Sequence, residues 1–141
     1  MIRINKQSTA QFKQNKDKVL NYLLNRGVDS KTYLDIIKNR PFGLLAENIF
    51  YIGEKIDGSE YTLEFFFTDE ATISPDIETV NRNLQTDYGD ILSIANVCGE
   101  DIICMNIKTG QIFLWELESG SGDMVPIAKS IDQFIAMIIY K

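Results

Sequence analysis

The segment Tyr61-Thr62-Leu63-Glu64-Phe65-Phe66-Phe67 constrains the fold more than any other. Alternating side chains in an extended strand project to opposite sides, so Tyr61, Leu63, Phe65 and Phe67 share one face. A face that apolar must be covered by something else in the chain. Asn48-Ile49-Phe50-Tyr51-Ile52 precedes it with similar β-rich character, and Gly53 to Glu60 reads as a turn between two antiparallel strands.

The cover is legible on both sides of this hairpin. From Thr9 to Arg26, Phe12, Val19, Leu20, Leu23 and Leu24 recur on one helical stripe, Ser8 and Gln11 have capping-box spacing, and Gly27 suits a C-cap. A short second helix follows, capped by Asp29 or Ser30, with Tyr33, Leu34 and Ile37 as its apolar side and Pro41 limiting it. Ser74-Pro75-Asp76 opens a third helix to about Gln85 carrying Ile77, Val80 and Leu84. Ser130 and Gln133 repeat the capping-box spacing before Ile131, Phe134, Ile135, Ile138 and Ile139. Between these last two helices lie three strands: Ile91–Ala95, Asp101–Asn106 and Gln111–Glu116. Lys108-Thr109-Gly110 supplies the tight turn of the final pair, and Ser119–Asp123 reads as a flexible loop. Hairpins without repeated βαβ crossovers predict an α+β fold: a single curved, mostly antiparallel sheet of about five or six strands flanked by N-terminal, middle and C-terminal helices. The 141 residues suit one domain and one core.

Several chemistries lack their residues. The chain has no histidine, which removes the commonest general base and metal ligand and excludes a Ser-His or Cys-His nucleophile within one chain. Cys98 and Cys104 have neither the number nor the spacing of a disulfide framework or metal motif, and read as reduced, semi-buried side chains. The carboxylate pairs Asp69-Glu70, Glu100-Asp101 and Glu116/Glu118 fall at strand ends and turns, where water keeps carboxylates ionised rather than poised for acid–base work. Gly120-Ser121-Gly122 lacks the lysine of a phosphate cradle and is followed by Asp123. Lys13, Lys16 and Lys18 read as a solvated helix face. Neither a metal nor a cofactor is expected. The N-terminus has no signal-peptide core, so the cytoplasm is the expected compartment.

Charge is distributed unevenly. Residues 1–40 carry nine Lys/Arg against three Asp/Glu, whereas residues 41–141 carry five against seventeen. The acidic part repels nucleic acid and suits a basic partner. Within the last hairpin, Phe113 and Trp115 share one face and Ile112 and Leu114 the other. If helices cover the Ile112–Leu114 face, Phe113 and Trp115 lie on the second face, where they are either buried as well or available to anchor a partner. Glu100, Asp101, Trp115, Glu116 and Glu118 therefore form the candidate contact patch, with Phe113 beside Trp115.

The C-terminal half also resembles a known family. Ile91-Leu92-Ser93-Ile94-Ala95, then Gly99-Glu100-Asp101-Ile102-Ile103-Cys104-Met105-Asn106, Thr109-Gly110-Gln111-Ile112-Phe113-Leu114-Trp115-Glu116 and Ile127-Ala128-Lys129-Ser130-Ile131-Asp132-Gln133-Phe134-Ile135 are similar to the SUKH superfamily. Its pattern is a strand, a glycine-acid turn, a second strand, an aromatic strand with an acidic exit, and an alanine and serine before a closing helix. The N-terminal half departs from it. Gly27-Val28 stands where that family has Leu-Pro, and Asn39-Arg40-Pro41-Phe42-Gly43 replaces its Asn-Gly-Gly element. The resemblance implies helices packed on one curved sheet and a non-catalytic role. That role is either an immunity protein that neutralises a toxin, a nuclease among the candidates, or a hub like the yeast cell-wall-synthesis regulator. It implies a protein partner, no membrane, and a monomer or weak homodimer.

Overall fold

The computed structural model describes residues 9–39, 44–52, 59–67, 75–97, 99–118 and 120–140, with side chains of residues 9–16, 44–52, 59 and 139–140 left aside. The Ser8 cap, Pro41, most of the turn after Ile52, the Asp69-Glu70 pair, Ser74 and Cys98 lie outside the described residues. In chain order the elements are α1 (Thr9–Asn25), α2 (Lys31–Asn39), β1 (Leu44–Ile52), β2 (Ser59–Phe66), α3 (Ile77–Asn83), β3 (Ile91–Val97), β4 (Ile102–Asn106), β5 (Ile112–Glu116), β6 (Asp123–Ala128), α4 (Ile131–Met137) and β7 (Ile139–Tyr140). The α+β class is as predicted.

All strands join one antiparallel sheet in the order β6-β5-β4-β3-β2-β1-β7. The sheet is a meander from β1 to β6, closed at its far edge by the short β7. Two of its seven strands were not expected. Met124–Ala128 was read as a loop and closing segment, yet it pairs with β5 as part of β6. Ile138 and Ile139 were assigned to the last helix, but α4 ends at Met137 and Ile139 pairs with Ile49 of β1. Both segments are short apolar runs whose partners are set by tertiary contact, where periodicity alone does not separate strand from helix.

The path from β6 to β7 requires the sheet to curve. Six strand spacings span about 29 Å if flat. One seven-residue helix with short extended flanks reaches only about 24 Å. The sheet must bend so that α4 crosses its concave side. Register shifts between Leu63 and Phe65, Ser93 and Ala95, and Ile112 and Phe113 supply that bending, because a bulge adds local twist.

Both faces of the sheet are covered at the end of β2. Phe66 was placed opposite Phe65 and Phe67, yet all three are buried. Tyr33 of α2 packs on Phe66 with ring centroids 6.3 Å apart, and Phe65 meets Phe67 edge-on at 5.7 Å. On α1, Val19 and Leu23 are buried as expected, but Leu24 is 57% exposed; it sits a full helical step off the Val19–Leu23 row. The caps fit the reading. The Ser30 hydroxyl accepts from Tyr33 N–H at 3.3 Å, Asp76 from Thr79 N–H at 2.8 Å, and Ser130 from Gln133 N–H at 3.1 Å. The Gln133 side chain returns to Lys129 N–H rather than to the cap's own N–H.

Where β2 ends, α3 takes over its place beside β3. The last β2 contact is Phe67 N–H donating to Ile94 C=O at 2.9 Å. The next backbone groups of β3 belong to Ser93, and Asn81 satisfies both. Its Oδ1 accepts from Ser93 N–H at 2.8 Å, and its Nδ2 donates to Ser93 C=O at 3.0 Å and to Ile77 C=O at 2.9 Å. The carboxamide thus acts as one peptide unit of a missing strand. Thr86 donates its hydroxyl proton to Asn81 Oδ1 at 2.7 Å, and Ser93 Oγ lies 2.9 Å from Thr86 and 3.7 Å from Cys104 Sγ. Asn81, Thr86, Ser93 and Cys104 form a polar seam with at most 7% exposure.

Two outcomes follow. Asn81→Ala strands the Ser93 backbone N–H and C=O and lowers unfolding free energy by roughly 2–4 kcal/mol in denaturant titration; a loss of a few tenths would contradict the strand-surrogate role. Burial pushes the Cys104 thiol from 9.0 to about 12, against a smaller lowering effect from Ser93. The folded thiol therefore keeps a proton that the unfolded chain releases. Its stabilisation is complete below pH 9 and lost as pH rises towards 12. The stability gap between wild type and Cys104→Ala should narrow from pH 9 upward, and a constant gap would contradict the burial.

Candidate functional site

Antiparallel register brings the predicted acids to one end of the β4–β5 hairpin. Ile102 opposes Trp115 and Met105 opposes Ile112, so Glu100 and Asp101 enter β4 beside the exit of β5. The other end is the tight turn. There Asn106 Oδ1 accepts from Lys108 and Thr109 N–H at 2.9 and 3.1 Å, and Gly110 takes φ +80° while donating to Asn106 C=O at 2.7 Å.

The four carboxylates do not have equal roles. Asp101 is 7% exposed, and its Oδ1 accepts from Glu118 N–H at 2.9 Å. It holds the β5–β6 connection onto the β3–β4 turn and offers little surface to a partner. Gly99 lies beneath the Glu118 side chain: its φ is +103°, and a Cβ there would meet Glu118 Oε2 at 2.5 Å. The glycine of the Gly-acid turn thus makes room for the second acid. Glu100 and Glu118 are exposed and Glu116 half-buried. Glu116 lies directly opposite Asp123 of β6, a like-charge pair that destabilises the strand ends slightly and favours an incoming cation. Among the described residues, none of Glu100, Glu116, Glu118 or Asp123 is ion-paired.

The two sheet faces differ sharply. Leu92, Ile103, Met105, Ile112 and Leu114 share the face that is fully buried, next to α2 and α4. The two helices are joined by the Thr32 hydroxyl donating to Asp132 Oδ1. On the other face, Ser93, Ile102 and Cys104 are buried, but Phe113 and Trp115 are only half-buried. Met124, opposite Trp115, is 37% exposed. Residues 84–91 run along this face and leave a groove of roughly 450 Å³ lined by Leu84, Tyr88, Asp90, Ile91, Trp115 and Met124. Sequence reading missed Tyr88 and Met124. Tyr88 sits in the polar run Thr86-Asp87-Tyr88-Gly89-Asp90, whose only signal is an aromatic among turn residues. Met124 was hidden by reading its strand as loop.

Arg26, at the end of α1, fixes the groove's outer wall. Its guanidinium donates to Tyr22 Oη at 3.0 Å, Thr86 C=O at 2.9 Å, Gly89 C=O at 3.4 Å and Ile91 C=O at 2.9 Å. The phenol of Tyr22 is raised above its ordinary pKa, mainly by burial and in spite of Arg26. Among the described residues, no group of three or more Cys, Asp and Glu side chains is arranged to hold a metal. No helix among them is long and apolar enough to cross a membrane.

A meandering antiparallel sheet with helices packed across one side, and an acidic hairpin end beside a half-open aromatic face, defines an α+β domain. The chain belongs to the SMI1 / KNR4 family (SUKH-1), whose model matches residues 24–137. The match extends the resemblance in the C-terminal half back through α2 to the last turn of α1. Comparison with curated proteins and with solved structures gave no significant match.

Removing the Asp101 carboxylate tests its structural role. Asp101→Ala should cost about 2 kcal/mol and speed hydrogen exchange at the Glu118 amide, while Asp101→Asn, which keeps an acceptor oxygen, should retain most of both. Equal losses in the two variants would contradict the hydrogen bond's part in holding the turn.

Proposed function

We propose that this chain is a non-catalytic binding domain of the immunity type, which seats on a basic toxin domain and blocks it. One observation carries the reading: from Asn83 to Ala128 the chain holds seven acids and a single base, Lys108. Lys108 is at the far turn, where it pairs with Asp90 at 3.8 Å. Glu100, Glu116, Glu118 and Asp123 are left without cations at the opposite end. Such a surface accelerates encounter with a basic protein and rejects nucleic acid, so it competes for the site where a nuclease toxin would hold its substrate. Membership of the SUKH-1 family supports this reading. Inhibition then needs only occupancy: the toxin's basic surface is covered, and no bond is made or broken.

The test is co-expression with the C-terminal domain of the neighbouring gene's product. Wild type should restore growth and co-purify. Glu116→Lys combined with Glu118→Lys should slow association at low salt by about tenfold or more and flatten its salt dependence. Unchanged rescue and association would remove these acids from the contact.

A further inference from the structure

The geometry points to the groove between residues 84–91 and the outer face of β5–β6 as the seat of the partner, with Trp115 as its anchor and a basic protein surface as its occupant. This rests on the binding reading above and goes further by naming where the partner docks and what it must present.

The groove has a mixed lining that gathers exposed apolar side chains beside Gln85, Thr86 and Asp90. Among the described residues only three large hydrophobic side chains are exposed, Leu24, Tyr88 and Met124, and two of them line this groove. Trp115 lies between them, half-buried. Tryptophan and tyrosine give much contact area for little lost freedom, which is why they dominate binding energetics.

The groove is also built in advance. Three of the four Arg26 hydrogen bonds go to backbone carbonyls of residues 86, 89 and 91. From the inner side, Thr86 is tied by its hydroxyl to Asn81 and Ser93. A loop held at both flanks presents Tyr88 without further ordering on binding, and that lowers the entropy lost in association.

Charge selects the occupant. Asp87 and Asp90 belong to residues 84–91, where Lys108 pairs with Asp90 and the Arg26 guanidinium is hydrogen-bonded to the backbone; Glu116 and Asp123 flank the Trp115–Met124 pair with no ion pair among the described residues, and residues 111–124 contain no lysine or arginine. A second copy would bring the same acids against themselves. A partner with an arginine or lysine beside an apolar side chain matches both features: its stem and apolar neighbour cover Trp115 and Met124, and its cation lies over the indole and among the carboxylates.

Trp115 is the only tryptophan, so it reports directly. The full chain would be labelled with 5-fluorotryptophan and titrated with the unlabelled C-terminal domain of the neighbouring gene's product, with complex formation followed by sedimentation in the same samples. The single ¹⁹F resonance should shift or broaden in step with complex formation. Tyr88→Ala and Met124→Ser, both at exposed positions, should weaken the complex by about tenfold or more while circular dichroism stays unchanged. A complex that forms with the resonance unmoved and both variants binding as wild type would overturn the groove and leave the binding reading standing. A resonance that shifts with the concentration of the chain alone would make a second copy the occupant and overturn the basic-partner assignment. No complex at all would overturn the binding reading and the groove with it.

Discussion

The Asn81 carboxamide makes to Ser93 the two hydrogen bonds that a neighbouring strand would make. Once β2 has turned away after Phe67, β3 would otherwise carry unpaired backbone groups in a dry interior, at a cost of several kcal/mol. Asn81 removes that cost and fixes α3 against the sheet in the same step. Residues 84–91 start from that anchored helix, and Arg26 ties their far side to α1. The groove beside Trp115 therefore depends on one buried amide more than on any residue that lines it.

The sheet's two faces then take separate roles. The concave side must be bridged by α4 to reach β7, so Leu92, Ile103, Ile112 and Leu114 are buried without exception. The other side is buried at Ser93 of β3 and at Ile102 and Cys104 of β4. At β5 and β6 it stays half-open, and there the aromatic and acidic residues meet. Asp101 holds the two turns at the acidic end together, which keeps Glu118 above Gly99.

Much of this was legible in the residues. Alternation in Tyr61–Phe67, helical spacing in α1 to α4 and capping residues at Ser30, Asp76 and Ser130 gave the element order, because each is a local signal with a local cause. The sharing of one face by Phe113 and Trp115 also followed from alternation, and the register Cys104 to Phe113 and Ile102 to Trp115 sets them beside each other. What sequence could not supply were features made by tertiary pairing. Strands β6 and β7 exist because β5 and β1 offer edges to them. Phe66 is buried because Tyr33 of α2 packs on it, a contact between segments distant in sequence. Asp101 looked like one surface acid among several, and only the fold turns it inward to Glu118 N–H. Tyr88 and Met124 are distant in sequence from each other and meet only across the groove.

We propose that charge brings a basic protein to this face. The most direct measurement is the association rate constant between the full chain and the C-terminal domain of the neighbouring gene's product, from low to high ionic strength. Electrostatic steering predicts a fall of about tenfold or more across that range, with the dissociation rate changing far less. An association rate indifferent to salt would contradict it.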